Sequence, residues 1–221
     1  MNRALVVGVS GGIGSALADR LRVDGYEVTG LSRRQDGLDL TNVESIKNAL
    51  SAVDGPFDMI IVATGALVID GHEPEKSIGA VTTDALMLQF QTNAIGPMMV
   101  LQQCLDLMPK DRRCVFAALS ARVGSIGDNA IGGWYSYRCA KAALNQLIHT
   151  AAIELKRTHK QSICVTLHPG TVATDFTAKY AGRHKTVPPT EAAGNLLGVL
   201  DGLEPSDTGG FFDYSGARVV W

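Results

Sequence analysis

The sequence predicts a doubly wound α/β fold, a single domain over residues 1–221 with about seven parallel strands and helices on both faces of the sheet. Short apolar runs alternate with segments whose apolar residues recur at helical spacing, which is typical of strands joined by helices in a parallel sheet. The 221 residues are 46% hydrophobic and 19% charged, which suits one globular domain with a full core. No repeat, linker or low-complexity stretch divides the chain.

The elements follow from the pattern in chain order. The predicted strands are ALVVGV, EVTGL, FDMIIVA, CVFAAL and SICVTLH, with a last short strand around GGFFDY. Thr41, followed three residues later by Glu44, predicts a capping box at the start of the helix after the second strand. A long helix is predicted from about Trp134 to Arg157, and one stripe of it is apolar: Ala140, Ala143, Leu144, Leu147, Ala151 and Leu155.

Charge and cysteine usage exclude several classes of function. The net charge is -2, and no basic run exceeds the two Arg-Arg pairs, so we expect neither a nucleic-acid nor a membrane surface. Without an apolar signal-peptide core at the start, the sequence predicts a cytoplasmic protein that acts on small molecules. The four cysteines form no CxxC pair and the histidines lack ligand spacing, so we expect reduced core cysteines and no metal.

A glycine-rich turn lies between the first strand and the first helix. Gly8, Gly12 and Gly14 are spaced GxxxGxG, and backbone amides at a helix N-terminus can reach a pyrophosphate only where side chains are missing. This context predicts a dinucleotide site of the Rossmann type, and the alternative is a turn that is merely tight. The predicted cofactor contacts from this loop are Gly8, Ser10, Gly11, Gly12, Ile13 and Gly14.

The end of the second strand carries the residues that would select the cofactor. An acid at this point would bind the ribose 2'-hydroxyl of NAD, but the sequence has Ser32, Arg33 and Arg34. Because guanidinium groups pair with phosphate, these residues favour the 2'-phosphate of NADP(H). Asp36 just beyond leaves NAD(H) possible, and a solvated polar turn is the remaining alternative.

A helical segment from Asp84 to Met108 contains Asn93 in its middle, with Gly96 and Pro97 behind it. Proline has no amide hydrogen, so the carbonyl of Asn93 loses its partner in an α-helix and the helix should kink there. We expect the carbonyl to find another partner, for example an ordered water. A kink with a purely structural purpose explains these residues equally well.

Two tyrosines lie at the start of the long helix, and their spacing to a lysine distinguishes them. Residues four apart share a helix face, so Lys141 lies under Tyr137, whereas Cys139 is the residue four beyond Tyr135. A phenol needs a lowered pKa to exchange a proton near neutrality, and an adjacent ammonium shifts the pKa in that direction. The spacing therefore predicts that Tyr137 is the acid.

With GxxxGxG, Asn93 and Tyr137-x-x-x-Lys141 in this order, the chain resembles the short-chain dehydrogenase/reductase family over nearly its whole length. Within it, GGWYSYRCAKAALN looks most like the C-factor-type group and its carbonyl reductase relatives. The resemblance implies that the tyrosine is the acid, that the lysine lowers its pKa and holds the ribose, and that the asparagine carbonyl positions a relay water. It also implies a homodimer or homotetramer.

Further cofactor contacts come from the resemblance alone. PGTVATD matches the family segment after the sixth strand, so Thr174 would meet the nicotinamide end of the cofactor, and Pro169, Gly170 and Val172 are further predicted cofactor contacts. Asp39, with the adjoining Leu40, stands where the family's aspartate meets the adenine. The family's NNAG segment is VATG here, which assigns Ala63, Thr64 and Gly65 to the same site and changes its loop support, as does Val7 in place of a threonine.

The family's catalytic serine has no direct counterpart. Its usual position, three residues before Gly124, is Ala121, with Ser120 before it and Ser125 behind. Adjacent strand residues face opposite ways, so Ser120 can replace the serine only if the strand ends or bulges there. Ser120 is the preferred candidate, Ser125 is the second, and the third possibility is that neither polarises the substrate.

These expectations combine into an NADPH-dependent reductase of ketone or aldehyde carbonyls. Residues 176–190 form a short loop that predicts an open pocket accepting several carbonyl compounds, with Trp134 and Tyr135 as walls or, alternatively, as packing at an interface. A rival hypothesis is a cofactor-binding signalling or regulatory protein of the C-factor type with weak or no turnover. The intact Tyr137 and Lys141 argue against the rival.

Overall fold

The computed structural model describes residues 1–174, 176–177 and 186–221. All neighbouring strands pair in parallel, in the order β2-β1-β3-β4-β5-β6. The strands are β1 (Arg3–Val7), β2 (Glu27–Leu31), β3 (Met59–Val62), β4 (Cys114–Leu119), β5 (Ser162–His168) and β6 (Phe211–Asp213). This is the predicted doubly wound sheet, with six strands in the described residues against the predicted figure of about seven.

Helices connect the strands on both sides of the sheet. They are α1 (Gly12–Val23), α2 (Arg33–Asp36), α3 (Val43–Ser51), α4 (Thr83–Phe90), α5 (Gly96–Gln103), α6 (Tyr135–Leu155) and α7 (Pro189–Gly202). A π-helical segment, Gln91–Ile95, joins α4 to α5 and interrupts the helix at Asn93, the point that the sequence indicated. The long helix α6 begins one residue later and ends two residues earlier than predicted.

The predicted capping box at the start of α3 is wrong by one residue. Asn42 is the N-cap, and its side-chain oxygen accepts a hydrogen bond from the Ser45 amide at 3.2 Å. Thr41 is engaged elsewhere, because its hydroxyl donates to Asp39 Oδ1 at 2.8 Å. A turn that ties Thr41 to Asp39 therefore moves the cap one position along the chain.

The hydrophobic core has two layers, because alternate residues of each strand face opposite sides of the sheet. Leu5 and Ile60 lie in the layer covered by α3, α5 and α6. Val6 and Ile61 lie in the layer covered by α1 and α7. Strands buried on both faces explain why the sequence shows continuous apolar runs rather than alternating ones.

Three of the four cysteines are buried, as predicted for core residues, but Cys139 is exposed on α6, so its assignment to the core is wrong. Burial raises the pKa of the Cys104 and Cys114 thiols to about 12, which makes them unreactive. In residues 1–174, 176–177 and 186–221 no group of His, Cys, Asp and Glu side chains could hold a metal ion. No helix in these same residues has the length and apolarity needed to cross a bilayer.

Candidate active site

The strand order creates a crevice at one edge of the sheet. From β1 the chain proceeds outward to β2 and then returns to β3 on the other side of β1, so the loops after β1 and β3 diverge at the carboxyl edge. Ligands of open parallel sheets bind at such a switch point. The glycine loop follows β1, Ser32 follows β2, residues 63–65 follow β3 and Ser120 follows β4, so the predicted site residues gather at this edge.

The glycine loop has no room for side chains. Gly8 has a φ of +100°, and a Cβ there would lie 2.8 Å from Thr64 Cγ2. A Cβ on Gly14 would overlap the Gly8 carbonyl oxygen, and one on Gly12 would lie 2.8 Å from Thr174 Cγ2. The loop is therefore packed against the β3 loop and against the segment after β5, with Gly11 as the uncapped start of α1. A pyrophosphate fits this cradle, because the α1 amides are not blocked by any side-chain cap.

The residues after β2 form a short capped turn. Ser32 is the N-cap of α2, and its hydroxyl accepts from the Gln35 amide at 3.2 Å. Asp36 folds back on the same serine, since its carboxylate accepts from the Ser32 amide at 2.7 Å and from the hydroxyl at 3.2 Å. Arg33 and Arg34 are exposed. Arg33 is close enough to Asp39 for its charge to contribute to the lowered pKa of that carboxyl. Two exposed arginines therefore lie in the turn for which the sequence predicts contact with a 2'-phosphate.

The Asp39 carboxylate is held inside its own loop. Its Oδ1 accepts from the Thr41 amide at 2.9 Å and from the Thr41 hydroxyl, and these bonds, the amide first, lower the pKa of Asp39. The Asp39 amide donates to Ser45 Oγ at 2.7 Å. The neighbouring Leu40 is buried against Gly96, where a Cβ would lie 2.7 Å from Leu40 Cβ. This arrangement fixes the loop that the resemblance assigns to the adenine.

Asn93 is fully buried and its side chain clamps the loop after β3. Its Oδ1 accepts from the Ala66 amide at 3.1 Å, and its Nδ2 donates to the Ala66 carbonyl at 2.8 Å. Gln89, four residues earlier, accepts from Asn93 Nδ2 at 2.6 Å and donates to the Leu67 carbonyl at 2.9 Å. The sequence analysis missed Gln89, although its i, i+4 spacing to Asn93 was the available signal.

The clamp places Asn93 beside the predicted lysine. A Cβ on Gly65 would lie 2.9 Å from Asn93 Oδ1 and 3.5 Å from Lys141 Nζ, so the two side chains meet at this glycine. The π-helical turn brings the Asn93 side chain to the β3 loop, and such turns often occur at functional sites.

Tyr137 and Lys141 lie together on the buried face of α6. The Lys141 ammonium is 5.8 Å from the centre of the Tyr137 ring and donates to the Leu119 carbonyl at 2.9 Å. Gly124 allows this helix to approach, because a Cβ there would lie 2.8 Å from Lys141 Cβ. The structure therefore brings together the pair that helical spacing predicted.

The acidities of this pair follow burial. Burial lowers the pKa of Lys141 to about 7 because the charged ammonium loses its water. Burial also raises the pKa of the Tyr137 phenol above its ordinary value. The sequence predicted a lowered tyrosine pKa from the neighbouring ammonium together with the positive charge of an oxidised nicotinamide, whereas in the chain itself burial of the phenol raises the pKa.

The two candidate serines differ in their hydrogen bonds. Strand β4 ends at Leu119, which satisfies the condition for Ser120, and the Ser120 hydroxyl is buried without a hydrogen-bond partner among the described residues. Phe116 and Ala118 of β4 belong to the core layer covered by α6, the helix that carries Tyr137. Ser125 Oγ instead accepts from the Asp128 amide at 3.1 Å.

The segment after β5 lies beside the glycine loop. Val172 is buried, its carbonyl accepts from Thr177 Oγ1, and Thr174 reaches the glycine loop. Gly170, which follows Pro169, has a φ of +78° and packs against the ring of Tyr214.

Aromatic rings surround Tyr137. The ring of Trp134 meets the Tyr137 ring edge-on, with centroids 6.2 Å apart, and the Phe176 ring is 6.3 Å away on another side. Tyr135 is half-buried at the first position of α6. Most of the predicted substrate loop, residues 178–185 and also Asp175, lies outside the described residues, so the open pocket stays a prediction.

Comparisons with known proteins agree with this geometry. A family model for short chain dehydrogenases matches residues 36–184. The 1-hydroxy-2-glutathionyl-2-methyl-3-butene dehydrogenase of Rhodococcus sp. (strain AD45) is 29% identical, with 100% of both chains covered. C-signal of Myxococcus xanthus is 32% identical over 78% of this chain and 98% of its own length.

A solved structure supports the same assignment. The crystal structure of a short-chain dehydrogenase/reductase from Burkholderia multivorans with bound NADP has a TM-score of 0.84 at 29% identity, covering 100% of this chain and 99% of that one. The matching family model spans the chain from the β2 turn to the segment after β5 and includes Asn93, Tyr137 and Lys141. This chain is an oxidoreductase that belongs to the short-chain dehydrogenase/reductase family.

Proposed function

We propose that this protein is an NADPH-dependent reductase of ketone or aldehyde carbonyls. The observation that carries the proposal is the buried pair of Tyr137 and Lys141, anchored at the carboxyl end of β4 by the bond from Lys141 Nζ to the Leu119 carbonyl. A proton donor and a cation lie side by side at the edge of the sheet where a dinucleotide would end.

The dinucleotide would be held by residues of three loops. The amides of the glycine loop would bind the pyrophosphate, Arg33 and Arg34 the 2'-phosphate, and Lys141 the nicotinamide ribose. When bound, NADPH supplies the hydride that adds to the carbonyl carbon. The side chains at the site then have to orient the carbonyl, stabilise its oxygen and protonate it.

In the reaction, the Tyr137 hydroxyl donates its proton to the carbonyl oxygen as the carbon is reduced, which gives an alcohol and a phenolate. The raised pKa of Tyr137 keeps the phenol protonated at neutral pH, and the oxygen of the reduced carbonyl, as an alkoxide, is a stronger base that can take this proton. Asn93 supports the β3 loop beside the lysine, and its carbonyl is our candidate for positioning a relay water.

The experiment that tests the proposed function is turnover with a broad panel of carbonyl compounds. Purified protein is mixed with NADPH, and its oxidation is followed with each ketone and aldehyde. We expect several compounds to be reduced with modest efficiency, as an open pocket implies. NADPH that binds but is never oxidised would favour a regulatory protein, for which the 32% identity to C-signal is the supporting observation.

Cofactor choice is proposed to depend on Arg33. Replacing Arg33 with Ala should weaken NADPH binding roughly 10- to 100-fold and leave NADH nearly unchanged, because a charge-assisted bond to phosphate is lost. NADP in the Burkholderia relative supports this preference. Dissociation constants from fluorescence titration check the effect, and the control is Arg112→Ala, which removes an exposed arginine paired with Asp58 just before β3. Equal losses for both cofactors would contradict the proposal.

The oxyanion donor is proposed to be Ser120 rather than Ser125. Ser120→Ala should lower kcat about 100-fold, because it removes the unpaired buried hydroxyl that would donate to the substrate oxygen in addition to Tyr137. Ser125→Ala should keep kcat and lose stability by about 1 kcal/mol through its bond to the Asp128 amide. Steady-state kinetics and denaturant unfolding of both variants decide the question, and the reverse pattern would assign the role to Ser125.

The assembly and location remain proposals. We propose a homodimer or homotetramer formed through α4 and α6, where Met87 and Ile153 are 65% and 52% exposed. Sedimentation showing a monomer at micromolar concentration would remove this proposal.

The cytoplasmic location expected from the sequence stays a prediction that cell fractionation tests. Trp134 is proposed as a wall of the substrate pocket, together with Tyr135.

A further inference from the structure

The first turn of α6 carries Tyr137, yet the residues before it do not cap the helix. Gly132, Gly133 and Trp134 have φ values of +71°, +68° and +53°, three left-handed residues in succession. Trp134 occupies the N-cap position without a side-chain cap bond to the helix. A large aromatic residue in this region of backbone space is strained, so surrounding structure has to hold it there.

Glu75 makes two hydrogen bonds where the chain enters the helix. Its backbone carbonyl accepts from the Trp134 amide at 2.5 Å, and its carboxylate Oε2 accepts from the Ser136 amide at 3.2 Å. Glu75 is only 4% exposed and lies in the loop that follows β3, 61 residues before Ser136. A carboxylate at a helix N-terminus is favoured by the exposed amides and the helix dipole.

Both contacts lie in the residues just before the proposed acid. Ser136 is the residue directly before Tyr137, and the Trp134 ring contacts the Tyr137 ring edge-on. Glu75 is therefore bonded to the backbone of the residue directly before Tyr137 and to the backbone of the residue whose ring packs on Tyr137. Displacement of a reacting group by about 1 Å can lower a rate about 100-fold, so the position of this turn matters for proton transfer.

The remaining carboxylate oxygen shows that the cap is costly. Glu75 Oε1 is buried and has no hydrogen-bond partner in the described part of the chain. A serine or threonine hydroxyl would cap a helix without burying an unpaired acceptor, so helix stability alone does not account for this arrangement. The long side chain instead connects α6 to the β3 loop, the same loop that Asn93 clamps through Ala66.

We propose that Glu75 is a positioning residue for Tyr137, which sets the hydroxyl of that tyrosine at the active site by holding the first turn of α6 from the β3 loop. The inference rests on the proposed function, in which Tyr137 is the proton donor. The Glu75 carboxylate acts through the amide of Ser136, while its main-chain carbonyl holds the Trp134 amide, and neither exchanges a proton with the substrate.

The test compares Glu75→Ala and Glu75→Gln with the control Asn42→Ala. Asn42 caps α3 with a bond of the same length, 3.2 Å, from the Ser45 amide. Asn42→Ala therefore removes a comparable cap from a different helix. Glu75→Ala should lower kcat roughly 10- to 100-fold while the NADPH dissociation constant stays within about twofold. Glu75→Gln keeps an oxygen acceptor for the Ser136 amide and should recover most of kcat. Asn42→Ala should lose stability and keep kcat.

Hydrogen exchange gives a readout that needs no turnover. The amides of Ser136 and Tyr137 should exchange faster in Glu75→Ala and return toward wild-type rates in Glu75→Gln. If the wild-type protein reduced no carbonyl compound, the proposed function would be wrong. The hydrogen-exchange rates would still show whether Glu75 holds the first turn of α6. Unchanged exchange and unchanged kcat in Glu75→Ala would overturn the inference, as would a Gln variant as impaired as the Ala variant. Should Glu75→Ala not fold, Glu75→Asp replaces it: a shorter acid that retains full kcat would also overturn the inference.

Discussion

Replacing Tyr137 with Phe is expected to abolish turnover, with a loss in kcat of about 1000-fold or more, while NADPH still binds. The variant keeps the buried ring and its contacts with Trp134 and Phe176 but lacks the hydroxyl that protonates the carbonyl oxygen. Steady-state NADPH oxidation measures the loss of turnover. Fluorescence titration with NADPH measures cofactor binding, which should remain within about twofold of wild type because the phenol is not assigned to the cofactor.

Tyr135→Phe is the matched control, since it removes the same hydroxyl two positions away. Tyr135 lies on a different face of α6 from Lys141, so most of the activity should remain and only some substrate affinity should be lost. If Tyr135→Phe were inactive and Tyr137→Phe active, the assignment of this helix face would be wrong. If both variants were fully active, neither phenol would be the acid.

Short-range regularities made the central part of this site predictable. A period of 3.6 residues puts Lys141 under Tyr137 regardless of what surrounds the helix, and the structure has both on one buried face. The strands were predictable because a sheet covered on both faces selects continuous apolar runs. The glycine loop was predictable because its contacts are local in sequence. A Cβ on Gly14 would overlap the carbonyl oxygen of Gly8, so this turn has no room for a side chain there.

Contacts between distant segments were not predictable from these patterns. Glu75 meets Ser136 across 61 positions, and no periodicity relates the two. The cap of α3 moved from Thr41 to Asn42 because Asp39 holds the Thr41 hydroxyl, a competition between neighbouring polar side chains that the capping pattern does not rank. The direction in which the pKa of Tyr137 shifts depends on how deeply tertiary packing buries the phenol. The sequence shows the charged neighbour but not the depth of burial.

The second large effect is expected at Lys141. Lys141→Met keeps an unbranched apolar side chain but removes the amine that donates to the Leu119 carbonyl and lies under Tyr137. We expect kcat to fall about 100-fold or more and the NADPH dissociation constant to rise roughly tenfold, because one group serves the phenol and the ribose. The same kinetics and titration measure both, with exposed Lys110→Met as the control before β4. If kcat fell while the NADPH affinity stayed unchanged, Lys141 would not be a ribose-binding residue.

Lys141→Met should also change how stability depends on pH, and the sign follows from burial. The pKa of Lys141 is about 7 in the folded chain, below the value of about 10.4 for an unfolded lysine. Below pH 7 the amine is charged in both states, and the folded state bears the full cost of burying the ammonium. Between about pH 7 and 10 the unfolded chain binds more protons than the folded one, so the free energy of unfolding of the wild type rises relative to Lys141→Met, by about 1.4 kcal/mol per pH unit at most. Urea unfolding at pH 6, 7.5 and 9 measures the difference, in which the contributions of other titrating groups cancel. A constant difference across this range would mean that Lys141 keeps its proton in the folded protein, and the ammonium would then be held by a partner strong enough to offset its burial.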